Sequence, residues 1–266
     1  MRRPTYDEPV RRVTLKLACA GALLASVSRS RRVVCAPPLA AFPAGAAVAI
    51  VIPVLDEAAA LPGLLAELRD ADVGEVVVVD GGSRDGTPAI AAAAGVRVVA
   101  ESRRGYGRAC AAGVAATDAP IIAFLDGDGS DDPAYLAALV ASVRAGEAAL
   151  ALGVRERSER GALLPHQRFG NALVGSLVQL LYGSRIRDVP PLRVVRRDVL
   201  ERVEMREMTY GWPTEMIVKV ARAGLPITQV GVRARVRRGG NSKVAGRLGP
   251  SIAAGARMLS VVFRHA

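Results

Sequence analysis

A chain of 266 residues with 51% hydrophobic and 23% charged residues can build a sizeable core, which excludes intrinsic disorder. Aromatics are only 4%, so that core must rest on Ala, Val and Leu, and three scattered cysteines, Cys19, Cys35 and Cys110, read as free thiols of a reducing compartment rather than a disulfide framework or zinc site. The net charge of +11 sits at the ends: residues 1–46 carry eight Lys/Arg against two Asp/Glu, residues 231–266 eight against none, and residues 47–230 carry 20 against 23. Nucleic-acid binding would favour basic residues spread over the fold among stacking aromatics. A near-neutral body with basic ends instead suits an anionic membrane surface or a phosphorylated ligand, the plain alternative being a solvated tail.

Residues 1–46 read as a basic, poorly ordered extension ahead of one domain over 47–266. Arg2, Arg3, Arg11, Arg12 and Lys16 precede an apolar run at 17–27, which is too short to cross a bilayer and is not directly followed by a small-residue cleavage site. A basic segment lying on a surface, a disordered arm and translated sequence upstream of the true start all fit. From Ala47 the pattern is regular: an apolar strand at 48–52 ended by Pro53, a helix at 61–69, a strand at 75–80, a helix with Thr87 as N-cap ending near Gly95, a strand at 96–99, a helix at 109–116 and a strand at 121–125. Such alternation predicts an α/β fold with a doubly wound, mostly parallel sheet, whose ligands bind at the carboxyl ends of the strands. The polar clusters Asp56-Glu57, 80–85 and 126–132 fall at those ends. Beyond them the sequence predicts a helix opened by Asp132-Pro133, a strand at 148–153, a charged loop at 155–165, a helix at 167–181, a strand at 192–195, a helix at 214–223 and a strand at 227–232. In a last helix at 250–263, Ile252, Ala256, Leu259 and Phe263 share one face, fit to pack on the body or lie on a membrane.

The sharpest motif is Phe124-Leu-Asp-Gly-Asp-Gly-Ser-Asp-Asp-Pro133. An apolar strand delivers Asp126 and Asp128 to the sheet's rim, and carboxylates at that spacing hold Mg²⁺ or Mn²⁺ while leaving positions for phosphate oxygens and water. A diphosphate leaving group needs such an ion to neutralise the charge it develops. An acidic turn capping the next helix accounts for Asp132 but not for two acids at a strand end. The second cluster, Val79-Asp-Gly-Gly-Ser-Arg-Asp-Gly-Thr87, offers Asp80 as acceptor for a base or ribose beside a glycine pair that allows close approach.

With Ile52-Pro-Val-Leu-Asp-Glu57, these pieces resemble the family 2 glycosyltransferases and their GT-A fold. Further matches in the same order are Arg104-Gly-Tyr-Gly107, Leu152-Gly-Val-Arg155, Pro165-His-Gln-Arg-Phe-Gly-Asn171 and Arg237-x-x-Gly240-x-Ser242-Lys243. The last three look most like the dolichyl- and polyprenyl-phosphate mannose and glucose synthases. The resemblance implies that Pro53, Glu57, Asp80 and Ser83 line the nucleoside pocket and that Asp126 contacts ribose or metal. It further implies Asp128 as metal ligand, with Ser130 or water completing the shell, and Arg155, Arg237, Ser242 and Lys243 as the groups that gather the phosphates. Arginine forks match phosphate oxygens on geometric grounds as well.

The chain departs from that pattern in three places. Asp80-Gly81-Gly82-Ser83 stands where Asp-Asp-Gly-Ser is common, Asp56 where Asn is usual, and Pro190-Pro191-Leu192-Arg193 where Ser-Gly-Phe-Arg is common. The implied reaction is transfer of a hexose from a nucleotide diphosphate sugar to a polyprenyl phosphate by a peripheral enzyme at the cytoplasmic face of the membrane, with C-terminal helices on the acceptor side. A soluble hydroxyl acceptor, such as a phosphoglycerate or saccharide, would require a general base, for which Glu215 and, less naturally, His166 are candidates; for Glu215 a place in the first turn of a helix is the competing role. A sugar-1-phosphate nucleotidyltransferase would show an early Gly-rich loop with Arg and Lys, whereas the first strand here ends in Pro53 to Glu57. A binding protein without catalysis leaves the open acidic pair unexplained.

Overall fold

The computed structural model describes residues 39–71, 74–159, 165–239 and 248–265. Its centre is β1 (Val48–Val54), flanked in parallel by β2 (Glu75–Asp80) and β4 (Ile121–Phe124), with β3 (Arg97–Ala100) outside β2. Being covered on both faces, β1, β2 and β4 are apolar without alternation, as buried parallel strands require. On the other flank β6 (Arg193–Arg196) runs antiparallel to both β4 and β5 (Leu150–Ser158), and β7 (Ile227–Ala234) is parallel to β5. The order is β3-β2-β1-β4-β6-β5-β7. One reversed strand therefore leaves β1, β2, β4, β5 and β7 all ending at one rim, where β6 begins.

Helices cover both faces. Leu61, Leu64, Leu65 and Leu68 of α1 (Leu61–Ala71) are buried, each worth ~1.5–3 kcal/mol relative to exposure. They share one core with α2 (Thr87–Ala93) and with α4 (Leu136–Arg144), which continues from a 3₁₀ turn at Pro133–Tyr135. The opposite core takes residues from α3 (Tyr106–Ala115), α5 (Pro165–Tyr182), α6 (Arg197–Val203), α7 (Trp212–Arg222) and α8 (Leu248–Arg264).

Several boundaries differ from the sequence reading, each for a visible reason. Thr87 is the first residue of α2 rather than its cap: Gly86, at φ 86°, takes the cap position and leaves the Thr87 hydroxyl to the β1 loop. β5 runs through Ser158 instead of giving way to a loop at 155, because β7 pairs with it across a bulge between Arg155 and Arg157. α6 follows β6 without an intervening residue, so no Gly or Pro announces it. α3 starts at Tyr106, three residues early, because Gly105 and Gly107 lie against the 207–208 backbone; added Cβ atoms would sit 2.3 Å from the Met208 carbonyl oxygen and 2.4 Å from that of Glu207.

In α8 the face predicted to be apolar is only partly buried, through Leu259. Val261 and Val262 are fully buried, and the Tyr182 hydroxyl donates to the Val262 carbonyl at 2.6 Å, whereas Phe263 is exposed; the side chain of Ile252 lies outside the described residues. Residues 39–46, assigned by sequence to the extension, lie against the body: Arg196 donates to the Ala40 carbonyl at 2.7 Å and stacks 4.2 Å from the Phe42 ring. Residues 1–38 fall outside the description.

Replacing Gly107 by Ala should cost about 1–3 kcal/mol, since its neighbour is backbone and cannot yield. Gly170→Ala, in a helix position open to 4 Å, should be neutral or gain up to about 1 kcal/mol. Urea midpoints of the two variants measure both effects.

Candidate active site

At the shared rim, the loops after β1 and β2 interlock. Asp56 has φ 52°, a left-handed conformation that Asn and Asp tolerate best, which accounts for an acid where the family pattern has Asn. Its N–H donates to the Ser83 hydroxyl at 2.8 Å, and the Arg84 N–H donates to its carboxylate at 2.8 Å. The Glu57 N–H reaches the Thr87 hydroxyl at 2.9 Å. Asp80 is buried and accepts from the N–H groups of Gly82 and Ser83 at 3.1–3.2 Å. Asp80 and Ser83 thus shape the loop that would receive a nucleoside, beside Pro53 in register with Val79.

The turn after β4 gathers the acids. Gly127 would place a Cβ 2.5 Å from Val54, and Gly129 has φ 73°, so the loop folds close against β1 and around the strap that leaves β7. Asp128 accepts from the Ser130 N–H at 2.9 Å, and Asp126 accepts from the Tyr106 hydroxyl at 3.1 Å. Asp132 accepts from the Ala134 N–H at 3.1 Å, fulfilling its expected capping role. Burial, then the charge of Asp128, pushes the Asp126 carboxyl up to about 6. Asp131, which the sequence reading did not single out, is buried more deeply; burial and the charges of Asp126 and Asp128 push it up to about 8.

Arginines from two other strands and from the strap after β7 face this acidic turn. Arg155 is held by Asp188 in a two-pronged pair, Nε to Oδ2 at 2.7 Å and Nη2 to Oδ1 at 2.8 Å, while Asn171 donates to the same carboxylate. Removing Asp188 alone would strand a largely buried cation, which costs up to about 3–5 kcal/mol where burial is complete. Arg193, first residue of β6, is fully buried: it stacks 4.6 Å from the Phe124 ring, donates to the Pro191 carbonyl at 2.9 Å and lies 3.5 Å from the Tyr106 hydroxyl, so Tyr106 relays it to Asp126. The two prolines that replace the familiar Ser-Gly therefore present carbonyls to this guanidinium. From the strap after β7, Arg237 bridges Asp128, at 3.1 Å, and Glu57. Arg235 joins Glu67 and Asp132, both at 2.8 Å, and backbone bonds from Arg235 to Ser130 and from Arg238 to Asp128 lay the strap along the acidic turn.

Asp126, Asp128, Glu57, Arg155 and Arg237 are thus brought together, whereas Ser242 and Lys243 lie outside the described residues. Glu215 is not among the gathered groups. It is fully buried at the start of α7, with Oε2 accepting from the N–H groups of Arg206 and Glu207 at 2.9 and 2.7 Å and Oε1 paired with Lys219 at 3.0 Å. That is the surrounding of an anchor for the 205–208 loop, not of a base facing a substrate. The His166 side chain is outside the description, and Cys110 is buried, its thiol pushed up to about 12 by burial. Tyr106, Asp131, Asp188 and Arg193 were the residues missed. Tyr106 stood inside a matched segment and Arg193 at the end of one that departs from the pattern, but only the fold shows what they touch.

The donor set suits a divalent cation of the Mg²⁺ or Mn²⁺ type. Asp126 is raised first by burial and then by the charge of Asp128, and a dication would offset both by favouring the ionised carboxylates. Among the described residues no group of three or more His, Cys, Asp or Glu side chains is arranged around one metal position. Asp126 and Asp128 would hold such an ion with water and substrate oxygens completing the shell.

Residues 49–204 match the family model described as glycosyl transferase family 2. An uncharacterized glycosyltransferase of Mycobacterium tuberculosis is 38% identical over 212 residues, 79% of this chain and 95% of that protein. A dolichyl-phosphate hexose transferase of Haloferax volcanii is 32% identical over 72% of this chain and 84% of its own. Among solved structures, glucosyl-3-phosphoglycerate synthase from Mycobacterium tuberculosis, with Mn²⁺, UDP-glucose and phosphoglyceric acid, superposes with a TM-score of 0.68 at 24% identity, covering 86% of this chain and 88% of that one. That likeness concerns the fold.

The buried Asp131 makes stability fall with pH. The unfolded chain releases this proton near its ordinary value of 3.8 and the folded chain only at about 8, so the folded state binds more protons between them and loses stability as pH rises. Asp131→Asn removes that liability. Calorimetry without metal should show the variant's gain in Tm growing from about pH 5 to about pH 8; an equal gain at both would contradict the assignment.

Proposed function

The chain belongs to glycosyl transferase family 2, and from that premise we propose that it moves a hexose from a nucleotide diphosphate sugar to a polyprenyl phosphate. The observation that carries this reading is the arginine-clamped acidic turn together with a Glu215 whose oxygens are both engaged inside the fold. A hydroxyl acceptor needs a base to remove its proton, whereas an acceptor phosphate is already an anion. The dolichyl-phosphate hexose transferase from Haloferax volcanii supports the same acceptor class.

In the proposed reaction an acceptor phosphate oxygen attacks the anomeric carbon in line, the bond from that carbon to the diphosphate oxygen breaks, and the nucleoside diphosphate departs with the electron pair, inverting the centre. The 80–83 loop and Glu57 receive the nucleoside. Mg²⁺ or Mn²⁺ held by Asp126 and Asp128 would neutralise charge on the departing diphosphate. Arg193, through Tyr106, keeps Asp126 turned toward that position. Arg155, fixed by Asp188, presents its remaining edge to phosphate without further ordering cost. Arg237 bridges Glu57 and Asp128 across the same space, so donor entry must shift its guanidinium onto phosphate oxygens. A soluble phosphorylated acceptor is the second reading, favoured by the fold shared with the phosphoglycerate synthase. No helix among the described residues is long and apolar enough to cross a membrane, so contact with lipid in this reading would be peripheral.

Radiolabelled UDP-glucose and GDP-mannose, each offered with undecaprenyl phosphate in detergent and with 3-phosphoglycerate, test this reading. Label should pass into the lipid, and Asp128→Ala should lower that transfer by at least ~10³-fold while leaving the fold intact. Label found only in the soluble acceptor would replace the proposal with the second reading.

A further inference from the structure

We propose that the outward face of α5, with the tip of α8 beside it, docks this enzyme on an anionic phospholipid surface; this rests on the polyprenyl-phosphate reading and identifies where the protein would meet the lipid. Phe169, Leu173 and Leu180 of α5 are 72%, 38% and 52% exposed. Spacings of four and seven residues put them on one stripe of the helix. Exposed Ala172 and Ser176 lie between them, and a shallow cleft of about 420 Å³ opens between Ser176, Gln179, Leu180 and Gly183. At the contact with α8, Phe263 is 58% exposed, one residue beyond the carbonyl that Tyr182 binds.

Charge selects the occupant. Residues 160–187 contain no Asp or Glu, and Arg168 and Arg185 are exposed at either end of the apolar stripe; residues 231–266 are likewise free of acids, with Arg264 next to Phe263. An apolar stripe with exposed arginines at both ends fits the boundary between acyl chains and anionic headgroups. A second copy of the chain would bring two such cationic rims together, which opposes self-association through this face.

Distance links the surface to chemistry. The inward side of α5 buries Val174 and Val178 and supplies Asn171 to Asp188, the residue that clamps Arg155. One helix diameter, ~10–12 Å, therefore separates the exposed stripe from the layer holding the arginine assigned to acceptor phosphate. A polyprenyl phosphate sits with its tail in the acyl region and its phosphate at headgroup depth, which is the span this helix bridges.

The test pellets the full chain, and the triple variant Phe169→Ser, Leu173→Ser, Leu180→Ser, with vesicles of equal parts phosphatidylglycerol and phosphatidylcholine or of phosphatidylcholine alone. Wild type should favour the anionic vesicles at least about tenfold, and the variant should lose at least about tenfold of that binding while keeping its thermal stabilisation by UDP and Mn²⁺. Phe169→Glu alone serves if the triple variant does not fold. Equal binding by wild type and variant would overturn the proposal, because another segment, residues 1–38 included, would then carry the contact; so would a wild-type dimer that the variant dissolves. The acceptor reading is scored separately by transfer in detergent. Vesicle binding without lipid glycosylation leaves the docking face standing and removes the acceptor, and lipid glycosylation without vesicle binding does the reverse.

Discussion

Carboxylates crowded together with little access to water at the end of β4 are the constraint around which the rest of the rim is arranged. Asp126, Asp128 and Asp131 occupy one tight turn, and two of them hold their protons to unusually high pH because burial and neighbouring charge oppose ionisation. A fold keeps such an unfavourable cluster only if something compensates it. Part of the compensation is built in: Arg155, Arg193 and Arg237 approach from β5, β6 and the strap after β7, each fixed by partners of its own. The remainder is what a dication and a diphosphate would supply, so in the proposed function the same imbalance that costs stability would give the site its affinity.

Topology makes this convergence possible. Reversing β6 alone lets β5 and β7 run with β1, β2 and β4, so that donor-side loops and phosphate-side arginines reach one edge although they lie up to 180 residues apart in the chain. It also puts Arg193 at the start of a strand rather than the end, buried beneath the acidic turn instead of in the open cleft. A bulge between Arg155 and Arg157 breaks the regular pairing of β5 with β7 next to the arginine that Asp188 holds.

The fold was legible where burial dictated residue type. β1, β2 and β4 are unbroken apolar runs with polar residues at their carboxyl ends, and that pattern predicted both the doubly wound sheet and the rim that carries the acids. Boundaries failed where tertiary contact overrode local signals: Gly105 starts α3 because Met208 presses on it, and charged Arg155 and Arg157 remain in β5 because β7 pairs with them. Within the site, Asp126 and Asp128 could be read from spacing after a buried strand. Asp131 was hidden among neighbouring acids that cap or solvate, and Arg155 and Arg193 reach Asp188 and Tyr106 across 33 and 87 residues, a separation that no local pattern encodes. Glu215 misled because a carboxylate near the only tryptophan has the same sequence signature whether it faces a substrate or ties down a loop.

Titration calorimetry of UDP binding with Mn²⁺ present, and again with the ion removed by EDTA, tests the central relation between the acidic turn and a diphosphate most directly. The account predicts affinity at least about tenfold weaker without the ion, a loss of ~1.4 kcal/mol or more. The same affinity under both conditions would contradict it, because the turn would then have no part in holding the donor.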